Sequence, residues 1–442
     1  MTFQEQKVYQ QRRDSLAQSM GAGSIGVWQS SPEMERTRDV VYPYQPNPDV
    51  FYLSGCDEPS ATLLLNVLDD KTESILFVEE QKESAVVWEG PKRGLEEWKE
   101  TLGVDRVLTL DQLEPTISSH LREKQTFYLQ MDRHNNHENT FVNWLQASSR
   151  VLQGKRYTPT GIVDASPFLR ELRERKDSWE VQQLRKAAQH TVEAHLAVMK
   201  AVRPGTAEAE VEALFAYELA RRGSQQLSFP TIVAGGSNAT ILHYRKNNTN
   251  LQDNQMLLLD GGGEWGHYAA DVSRTFPING TFSKQQREVY SIVLHAHQAA
   301  LAVCRPGSTW ADIHQTSVRA ITEGLVHLGV LDGDVKELVE TKAYQPYFPH
   351  GTSHWLGLEV HDVGAREELD GSSRALQSGM VFTVEPGLYF NATLNPEQTH
   401  TQWDGIGVRI EDNILITDSG YENLTSDCPV TIDEIEAVMK QE

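Results

Sequence analysis

The feature that most constrains the fold is an approximate repeat in the second part of the chain. The stretches AVRPGTAEAEVEALFAYELARRG (201–223) and AVCRPGSTWADIHQTSVRAITEGLVHLG (302–329) each place an Arg-Pro-Gly turn between two helical patterns. The turns lie 102 positions apart, and a Ser/Thr residue suited to capping the next helix follows each of them. β-Rich sequence comes next in both cases, at 226–280 and 345–417. We therefore predict two structurally similar halves with helices outside and sheet inside. Chance similarity of the two turns is the alternative.

The length of the chain predicts a further domain before this repeat. A chain of 442 residues is longer than one ordinary hydrophobic core can organise. The first 165 or so residues alternate short β-rich runs with helical stretches, which is typical of a small α/β domain. A charged joint containing proline follows, and then a long helix for which Asp177 and Glu180 form a capping box. Helical spacing assigns five residues to its apolar face: Leu184, Ala188, Thr191, Ala194 and Val198. We place the domains at 1–172 and 173–442.

Charge and cysteine content narrow the classes of partner. The 62 acidic and 40 basic residues give a net charge of -22, which repels nucleic acid and anionic membrane surfaces. No run approaches the roughly 18 apolar residues of a membrane span, and the polar N-terminal stretch has no apolar signal region. Cys56, Cys304 and Cys428 are far apart, which favours free thiols in a reducing compartment. We expect a cytoplasmic protein without nucleic-acid or membrane partners.

Three histidines lie within the short segment HGTSHWLGLEVHD (350–362). They are His350, His354 and His361, and such a density indicates a metal site, a proton carrier or a substrate contact. The first two have the spacing of the zinc-binding H-E-x-x-H motif, but Gly-Thr-Ser lies between them and supplies no base. The zincin interpretation therefore fails, and these histidines need partners from elsewhere in the chain.

A glycine-rich turn in LLLDGGGEWGHYAADVSRTF (257–276) brings two carboxylates together. The turn contains a G-x-G-x-x-G pattern, but the residues after it alternate with period 2 and do not begin a helix. Dinucleotide binding is therefore disfavoured. We predict a hairpin that sets Asp260 opposite Asp271, with both side chains on one face and roughly 5 Å apart at Cβ. Carboxylates that close repel each other unless a cation lies between them. A turn Asp and a salt-bridged strand Asp are the alternative.

The last part of the chain offers a second pair of carboxylates. MVFTVEPGLYF (380–390) places Glu385 at a strand end, and in GIGVRIEDNILIT (405–417) Arg409 and Glu411 point to one side of a strand. A glutamate buried in apolar strands needs a counter-charge or a metal. Four carboxylates and one neutral histidine would balance two divalent cations. These oxygen and nitrogen donors suit Mn²⁺, with Co²⁺ or Zn²⁺ as alternatives. Aminopeptidases are one standard use of such dinuclear centres.

These segments, in this order, resemble the motifs of the pita-bread metallopeptidases, and most closely those of the Xaa-Pro aminopeptidases (aminopeptidase P). The resemblance covers essentially the whole chain, because YPYQPNPDVFYLSGCDEPSATLLL (42–65) is similar to the family's creatinase-like amino domain. It implies an α+β fold, in which a creatinase-like α/β domain precedes a pita-bread domain of two pseudo-symmetric halves. It also implies an activity, the release of the N-terminal residue from peptides with proline second. The attacking group would be a hydroxide bridging two metal ions.

The resemblance also implies roles for individual residues. The metal ligands would be Asp260, Asp271, His354, Glu385 and Glu411, with Asp271 and Glu411 bridging the two ions. Glu385 would in addition pass the water's proton to the proline nitrogen. His243 and His361 would act on the substrate by stabilising the oxyanion and orienting the peptide. His350 would line the proline side, and Arg409 would support Glu411. A homo-oligomer, tetramer or dimer, is implied as well.

Several residues are left open by the resemblance. Thr352, inside HGTSH, occupies a position where we expect an apolar residue. Trp88 either reaches the active site of a neighbouring subunit or is buried in the core of its own domain, and Asp39 is a candidate contact for the substrate's amino group. Six histidines in helical stretches receive no role: those at 120, 190, 195, 295, 297 and 314.

Three alternatives remain on the same fold. Prolidase, which cuts only Xaa-Pro dipeptides, has the same metal site and is the nearest one. Methionine aminopeptidase normally lacks the large amino domain. A binding protein, or a metal-free creatinase, would have lost the carboxylates, whereas all five ligand positions are occupied here. Peptides with proline second are therefore the expected partners, and cleavage of tripeptides would separate the aminopeptidase from prolidase.

Overall fold

The computed structural model divides the chain into two compact units, Met1–Leu172 and Arg173–Glu442. It describes residues 3–121, 124–131, 144, 159–224, 226–393, 396, 398 and 401–441. Within these residues, no helix has both the length and the apolar character needed to cross a membrane. The three cysteines are buried free thiols, as predicted.

The first unit is built on one mixed sheet. Its helices are α1 (Phe3–Met20), α2 (Pro48–Ser54), α3 (Val86–Glu89), α4 (Leu95–Leu102), α5 (Leu113–Leu121) and α6 (Ser166–Glu174), the last of which runs across the boundary between the units. Its strands are β1 (Ser24–Gln29), β2 (Glu35–Thr37), β3 (Val40–Val41), β4 (Thr62–Val67), β5 (Thr72–Val78), β6 (Arg106–Thr109), β7 (Thr126–Leu129) and β8 (Gly161–Asp164). Six strands form the sheet in the order β6-β5-β4-β1-β7-β8.

Strand burial in this sheet follows from helices covering it. Strand β4, TLLLNV, is buried at all six positions, which is typical of a strand covered on both faces.

Trp88 lies outside this core, because the single-turn helix α3 buries none of its residues and leaves the indole 85% exposed. The expectation of a buried core tryptophan was therefore wrong, and Asp39 is exposed as well.

The second unit contains helix pairs and short sheets. Its helices are α7 (Ser178–Ala201), α8 (Glu208–Ala220), α9 (Lys284–Val303), α10 (Trp310–His327), α11 (Val335–Glu340) and α12 (Ile432–Met439). Its strands are β9 (Ile232–Gly235), β10 (Met256–Gly261), β11 (Glu264–Trp265), β12 (Tyr268–Ala269), β13 (Val272–Pro277), β14 (Val381–Val384), β15 (Gly387–Tyr389), β16 (Gly407–Arg409), β17 (Asp412–Ile416) and β18 (Tyr421–Asn423). The sheets are β13-β10-β9, β14-β17-β18, β11-β12 and β15-β16.

The predicted repeat is present as two helix pairs, α7–α8 and α9–α10, each followed by strands. The Arg-Pro-Gly turn joins the helices in both pairs, and Gly205 and Gly307 adopt positive φ values of 95° and 88° there. The predicted cap is correct in the second pair, where Thr309 caps α10 with Asp312. It is wrong in the first pair, because Thr206 Oγ1 accepts the Arg203 N–H within the turn and α8 begins after Ala207.

The long helix α7 packs as its spacing predicted. Asp177 and Glu180 form the capping box, with the Asp177 carboxylate accepting the Glu180 N–H at 2.9 Å. The five residues of the predicted apolar face are all buried. One hydrophobic core joins this face to the strands and to the other helices, through residues that include Val198, Phe215, Leu259, Phe276 and Val293. Burial of this shared core is what holds β10 and β13 in place.

The hairpin that carries Asp260 has a different register from the prediction. Asp260 pairs with Ser273, so Asp271 is its diagonal neighbour two residues away and not its direct partner. The turn explains the shift: it is formed by Gly266 and His267, both with positive φ, between the paired residues of β11 and β12. Because side chains alternate with period 2, a two-residue shift keeps both carboxylates on one face.

We predict that Gly262→Ala disrupts this hairpin. A Cβ atom at residue 262 would lie 1.7 Å from the Ala270 carbonyl oxygen, which forces the strand approaching Asp271 to move. We expect a loss of roughly 2 kcal/mol or more in the free energy of unfolding, measured by urea denaturation. Gly420→Ala is the matched control, because nothing lies within 4 Å of that Cβ position. Equal stability of the two variants would contradict the prediction.

Candidate metal centre and active site

The centre of the site is a histidine facing several carboxylates. Ligand atoms of Asp271, His354 and Glu411 all lie within 4.8 Å of one another. His354 Nε2 is 3.4 Å from Asp271 Oδ2, 3.6 Å from Glu385 Oε1 and 3.8 Å from Glu411 Oε1. The structure thus brings together one imidazole and three carboxylates that are distant in sequence, from the residue before β13, the residue after β14 and the link between β16 and β17.

The orientation of His354 suits a metal ligand. Its Nδ1 lies 2.9 Å from the Trp355 carbonyl oxygen, which only an Nδ1–H donor can satisfy. The tautomer inferred from this bond leaves an Nε2 lone pair directed at the carboxylates. A backbone pair holds the residue as well, because the His354 carbonyl accepts the Thr383 N–H at 2.9 Å. Orientation of one ring nitrogen by a carbonyl is the usual support of a metal-bound histidine.

Arg409 links the carboxylates of the two halves. Its Nη2 donates to Asp260 Oδ2 at 2.6 Å, and its Nε donates to Ser273 Oγ at 2.8 Å. The Ser273 hydroxyl in turn donates to Glu411 Oε2 at 2.9 Å. Arg409 therefore contacts Asp260 directly and Glu411 only through Ser273. All of these side chains are buried, so the guanidinium is the main fixed positive charge among the acids.

One guanidinium does not satisfy the cluster. Asp260 Oδ1, Asp271 Oδ1 and Glu411 Oε1 are buried and accept no hydrogen bond from the described residues. Burial raises the pKa of Asp271 well above its usual value, and Asp260 and Glu385 raise it further. Burial also raises the pKa of Glu411, with Asp271 adding to the effect. Oxygen atoms without partners, beside the Nε2 atom of His354, are the donor set of a hard or borderline divalent cation.

The elements of the fold position these groups through backbone contacts. Asn413 on β17 accepts the Asp271 N–H at 3.1 Å and donates to the Asp271 carbonyl. The Glu385 N–H donates to the Thr352 carbonyl at 2.8 Å, which ties the end of β14 to the histidine segment. The first contact crosses from one half of the unit to the other, and the second joins two segments of the same half.

All nine residues predicted for the site line one cavity of about 580 Å³: His243, Asp260, Asp271, His350, His354, His361, Glu385, Arg409 and Glu411. The ring centroid of His361 lies 4.2 Å from that of His354. Burial and the neighbouring His354 lower the pKa of His361 to about 4. Burial and Arg409 lower the pKa of His350 to about 3. Both rings are therefore neutral near pH 7.

Sequence reasoning missed several supporting residues. The Tyr389 hydroxyl is hydrogen-bonded to His350 Nε2 at 2.8 Å, and it accepts a hydrogen bond from Arg409 Nη1 at 3.1 Å. Ser273 and Asn413 bridge the carboxylates as described above. Their signal in the sequence is a polar residue at an inward position of a buried strand, which requires a partner. That signal identifies such residues but does not name the partner.

An ion-pair cluster anchors the segment that follows His361. The Asp362 carboxylate accepts from Lys176 Nζ at 3.0 Å and from Arg173 Nη2, and all three side chains are at most 1% exposed. Arg173 Nη2 also lies 3.1 Å from Glu359 Oε2. The cluster therefore attaches the loop of His361 to the residues just before α7.

A second contact supports the start of the histidine segment. Thr352 is 2% exposed, and its Oγ1 lies 2.9 Å from Nδ1 of His314 on α10. His314 is one of the histidines without an assigned role, and Thr352 is the polar residue found where an apolar one was expected. One hydrogen bond accounts for both residues, because the buried Thr352 hydroxyl needs a partner and His314 provides it.

Comparison with known proteins agrees with this geometry. The family model of metallopeptidase family M24 matches residues 182–418. The chain belongs to metallopeptidase family M24. The model of the aminopeptidase P N-terminal domain matches residues 9–129. Among similar proteins, an Xaa-Pro aminopeptidase from Escherichia coli (strain K12) is 39% identical over 436 residues, which are 98% of this chain and 97% of the relative.

Solved structures of similar proteins have the same fold. Proline aminopeptidase P II from Yersinia pestis superposes with a TM-score of 0.94 at 38% identity, covering 99% of both chains. Zn-substituted E. coli aminopeptidase P in complex with product superposes with a TM-score of 0.92 at 38% identity, covering 98% of both chains. The predicted family resemblance and the predicted fold class are confirmed, and the chain is a metallopeptidase of the aminopeptidase P type.

We predict that Asp362→Asn destabilises the protein, because Arg173 and Lys176 stay buried without the carboxylate they share. The expected loss is roughly 3 kcal/mol at pH 7 by urea denaturation. Burial raises the pKa of Asp362, but Arg173 and Lys176 lower it more, so the net shift is downward. Its contribution is therefore complete above the unfolded pKa of about 4 and is lost as the pH falls through the lowered folded value.

Arg185→Gln is the matched control for this prediction. Arg185 and Glu422 form an exposed pair, with side chains 48% and 38% exposed, so the expected loss is at most about 1 kcal/mol. Equal losses in the two variants, or a loss in Asp362→Asn that does not shrink in acid, would show that the cluster is not acting through the Asp362 charge.

We predict that Thr352→Val lowers peptidase kcat about 5-fold, which corresponds to the loss of one hydrogen bond. Valine keeps the shape of threonine but cannot bond His314, so the segment carrying His350 and His354 loses a contact. Thr352→Ser keeps the hydroxyl and should retain most of the activity. In the His314→Phe background, Thr352→Val should have little further effect. Additive effects in this double-mutant cycle would contradict the assignment.

Proposed function

We propose that this protein is an Xaa-Pro aminopeptidase, which releases the N-terminal residue from peptides that have proline second. The observation that carries the proposal is the cluster of Asp271, His354 and Glu411, with its unpartnered buried oxygens, inside a cavity large enough for a peptide. Full-length similarity to proteins described as Xaa-Pro aminopeptidases supports the same substrate class.

We propose that five residues hold two divalent cations: Asp260, Asp271, His354, Glu385 and Glu411. The number of carboxylates supports two ions, since four negative charges confined to one buried site require about that much positive charge. The donors are oxygen and imidazole nitrogen without thiolate, which favours Mn²⁺, with Co²⁺ and Zn²⁺ as alternatives. When bound, such ions polarise a carbonyl and lower the pKa of water.

Glu385 is the proposed proton carrier. Its side chain is only partly buried and reaches the cavity, and the Thr383 hydroxyl lies 3.4 Å from its Oε1. Burial raises the pKa of Glu385 above its usual value, although His354 and Arg409 oppose the rise. A carboxylate with a raised pKa takes a proton from water and returns it at neutral pH more readily than an ordinary one. The acceptor would be the proline nitrogen as the peptide bond breaks.

Three histidines of the cavity are the proposed contacts to the peptide. His243 and His361 are exposed to the cavity and would donate N–H groups to the carbonyl oxygen as its negative charge develops. His350, held by Tyr389, would lie beside the proline ring. The proline nitrogen has no hydrogen to recognise, so selectivity must come from shape. Apolar residues such as Phe229, Leu242 and Val360 line the cavity and would provide that shape.

Prolidase activity is the alternative, because a dipeptidase would use the same ligands. The relatives described as Xaa-Pro aminopeptidases favour the longer substrate. We further propose a cytoplasmic homo-oligomer, a tetramer or a dimer. Exposed apolar side chains on the first unit, Val87 and Trp88 among them, support self-association, and three buried free thiols suit a reducing compartment.

We predict that protein stripped of metal by a chelator regains cleavage of Arg-Pro-Pro when Mn²⁺ is added, with N-terminal arginine as the product. Glu385→Gln should lower kcat on the order of 10³-fold, because the proton carrier is lost. Glu323→Gln, an exposed residue on α10, is the control and should keep full activity. Release from Ala-Pro but not from Arg-Pro-Pro would indicate prolidase. No metal-dependent release from either peptide would refute the proposed function.

A further inference from the structure

Two arginines in the wall of the active-site cavity have no acidic partner. Arg245 and Arg366 both line the cavity, and neither makes an ion pair with any residue that the structure describes. Both are exposed, unlike the buried Arg173, Arg274 and Arg409, which are paired with carboxylates. The chain has a net charge of -22, so acidic partners are abundant. Two unpaired guanidinium groups at the same cavity therefore suggest that their partner is a ligand.

The guanidinium of Arg366 is held in position by aromatic rings. Its central carbon lies 5.4 Å from the ring centroid of Trp310, within the range of a cation–π contact. Trp310 packs against Trp355 with their centroids 4.5 Å apart, and Trp355 itself lines the cavity beside His354. Stacking occupies the face of a guanidinium and leaves the N–H donors at its edge for a planar acceptor.

Both arginines belong to the outer part of the cavity. Their side chains are exposed, whereas the carboxylate cluster is buried. Arg245 follows His243 by two residues, and Arg366 follows His361 by five, so each accompanies a histidine of the substrate side. A peptide with its N-terminus at the carboxylate cluster would extend past the proline towards these arginines.

We infer that Arg366 and Arg245 form a carboxylate-binding subsite for the part of the substrate that follows the proline, an inference that rests on the proposed function. Guanidinium and carboxylate form two parallel hydrogen bonds, a geometry that neither lysine nor a neutral donor reproduces. The carboxylate has two sources, the C-terminus of a tripeptide or the side chain of an acidic third residue.

The test is kcat/KM of the Mn²⁺-loaded enzyme for four peptides: Ala-Pro-Ala as free acid, Ala-Pro-Ala amide, Ala-Pro-Glu amide and Ala-Pro-Gln amide. We expect the free acid to exceed its amide, or the Glu peptide to exceed the Gln peptide, by about 5-fold or more at low salt. The first ratio identifies the terminal carboxylate and the second an acidic side chain. Either ratio should fall as salt screens the charges.

Variants assign the preference to these side chains. Arg366→Gln and Arg245→Gln should each reduce the ratio, and the double variant should bring it to about 1. Arg366→Lys should restore only part of it, since the ammonium is a point charge without a planar fork. Arg319→Gln is the matched control, an exposed arginine on α10 that pairs with Glu323 away from the cavity, and it should leave the ratio unchanged.

The outcomes separate this inference from the proposed function. Equal kcat/KM for charged and neutral peptides in the wild type would overturn the subsite while leaving the aminopeptidase intact. A preference that persists in the double variant would overturn it as well. Cleavage of none of the four peptides would refute the proposed function, and the subsite with it. A preference lost in the arginine variants and kept in Arg319→Gln would establish the subsite.

Discussion

The mutual repulsion of buried carboxylates is the constraint on which the rest of this structure depends. Asp260, Asp271, Glu385 and Glu411 converge on one site, although each would be more stable in water or beside its own cation. Burial and repulsion raise the pKa of Asp271 and Glu411 well above their usual values, and one guanidinium, that of Arg409, does not balance the charge. Such an arrangement persists in a folded protein only when the surrounding core holds it in place and its charge is relieved, either by protonation or by a bound cation. The unpartnered oxygens are where that cation would bind.

The two similar halves of the second unit supply this rigid support. Each half contributes carboxylates from short strands that lie behind a pair of helices, and the shared core packs those helices onto the strands. Hydrogen bonds then cross between the halves, from Ser273 to Glu411 and from Asn413 to the backbone of Asp271. A substitution in one half therefore affects site residues in the other, because Asp260, Asp271 and Glu411 each have a hydrogen-bond partner from the opposite strand group.

The histidine segment, residues 350–362 of the second half, contributes three of the predicted site residues. It has no regular secondary structure over residues 350–354, so its side chains depend on specific contacts at both ends. The Thr352–His314 bond supports its beginning, and the Asp362 ion pairs support its end. Within it, His350 and His361 have lowered pKa values and stay neutral near pH 7. In the proposed function, neutral rings would donate hydrogen bonds to a peptide without adding positive charge to a site that would hold cations.

Much of the fold and of the candidate site could be predicted from the sequence, because hydrophobic periodicity and helix capping depend on residues that are close together in the chain. The repeat of helix pairs, the capping box at Asp177, the buried face of α7 and the nine cavity residues all follow from spacing or from motif resemblance. The strand register at Asp260 was predicted wrongly, because the positive-φ turn at Gly266 and His267 shifts the pairing by two residues.

Only the tertiary structure decided which buried polar groups meet. His314 and Thr352 lie 38 residues apart, and nothing in the sequence shows that their side chains are hydrogen-bond partners. Arg366 stacks on Trp310 for the same reason, since contacts between distant segments depend on how helices and strands pack and not on local pattern.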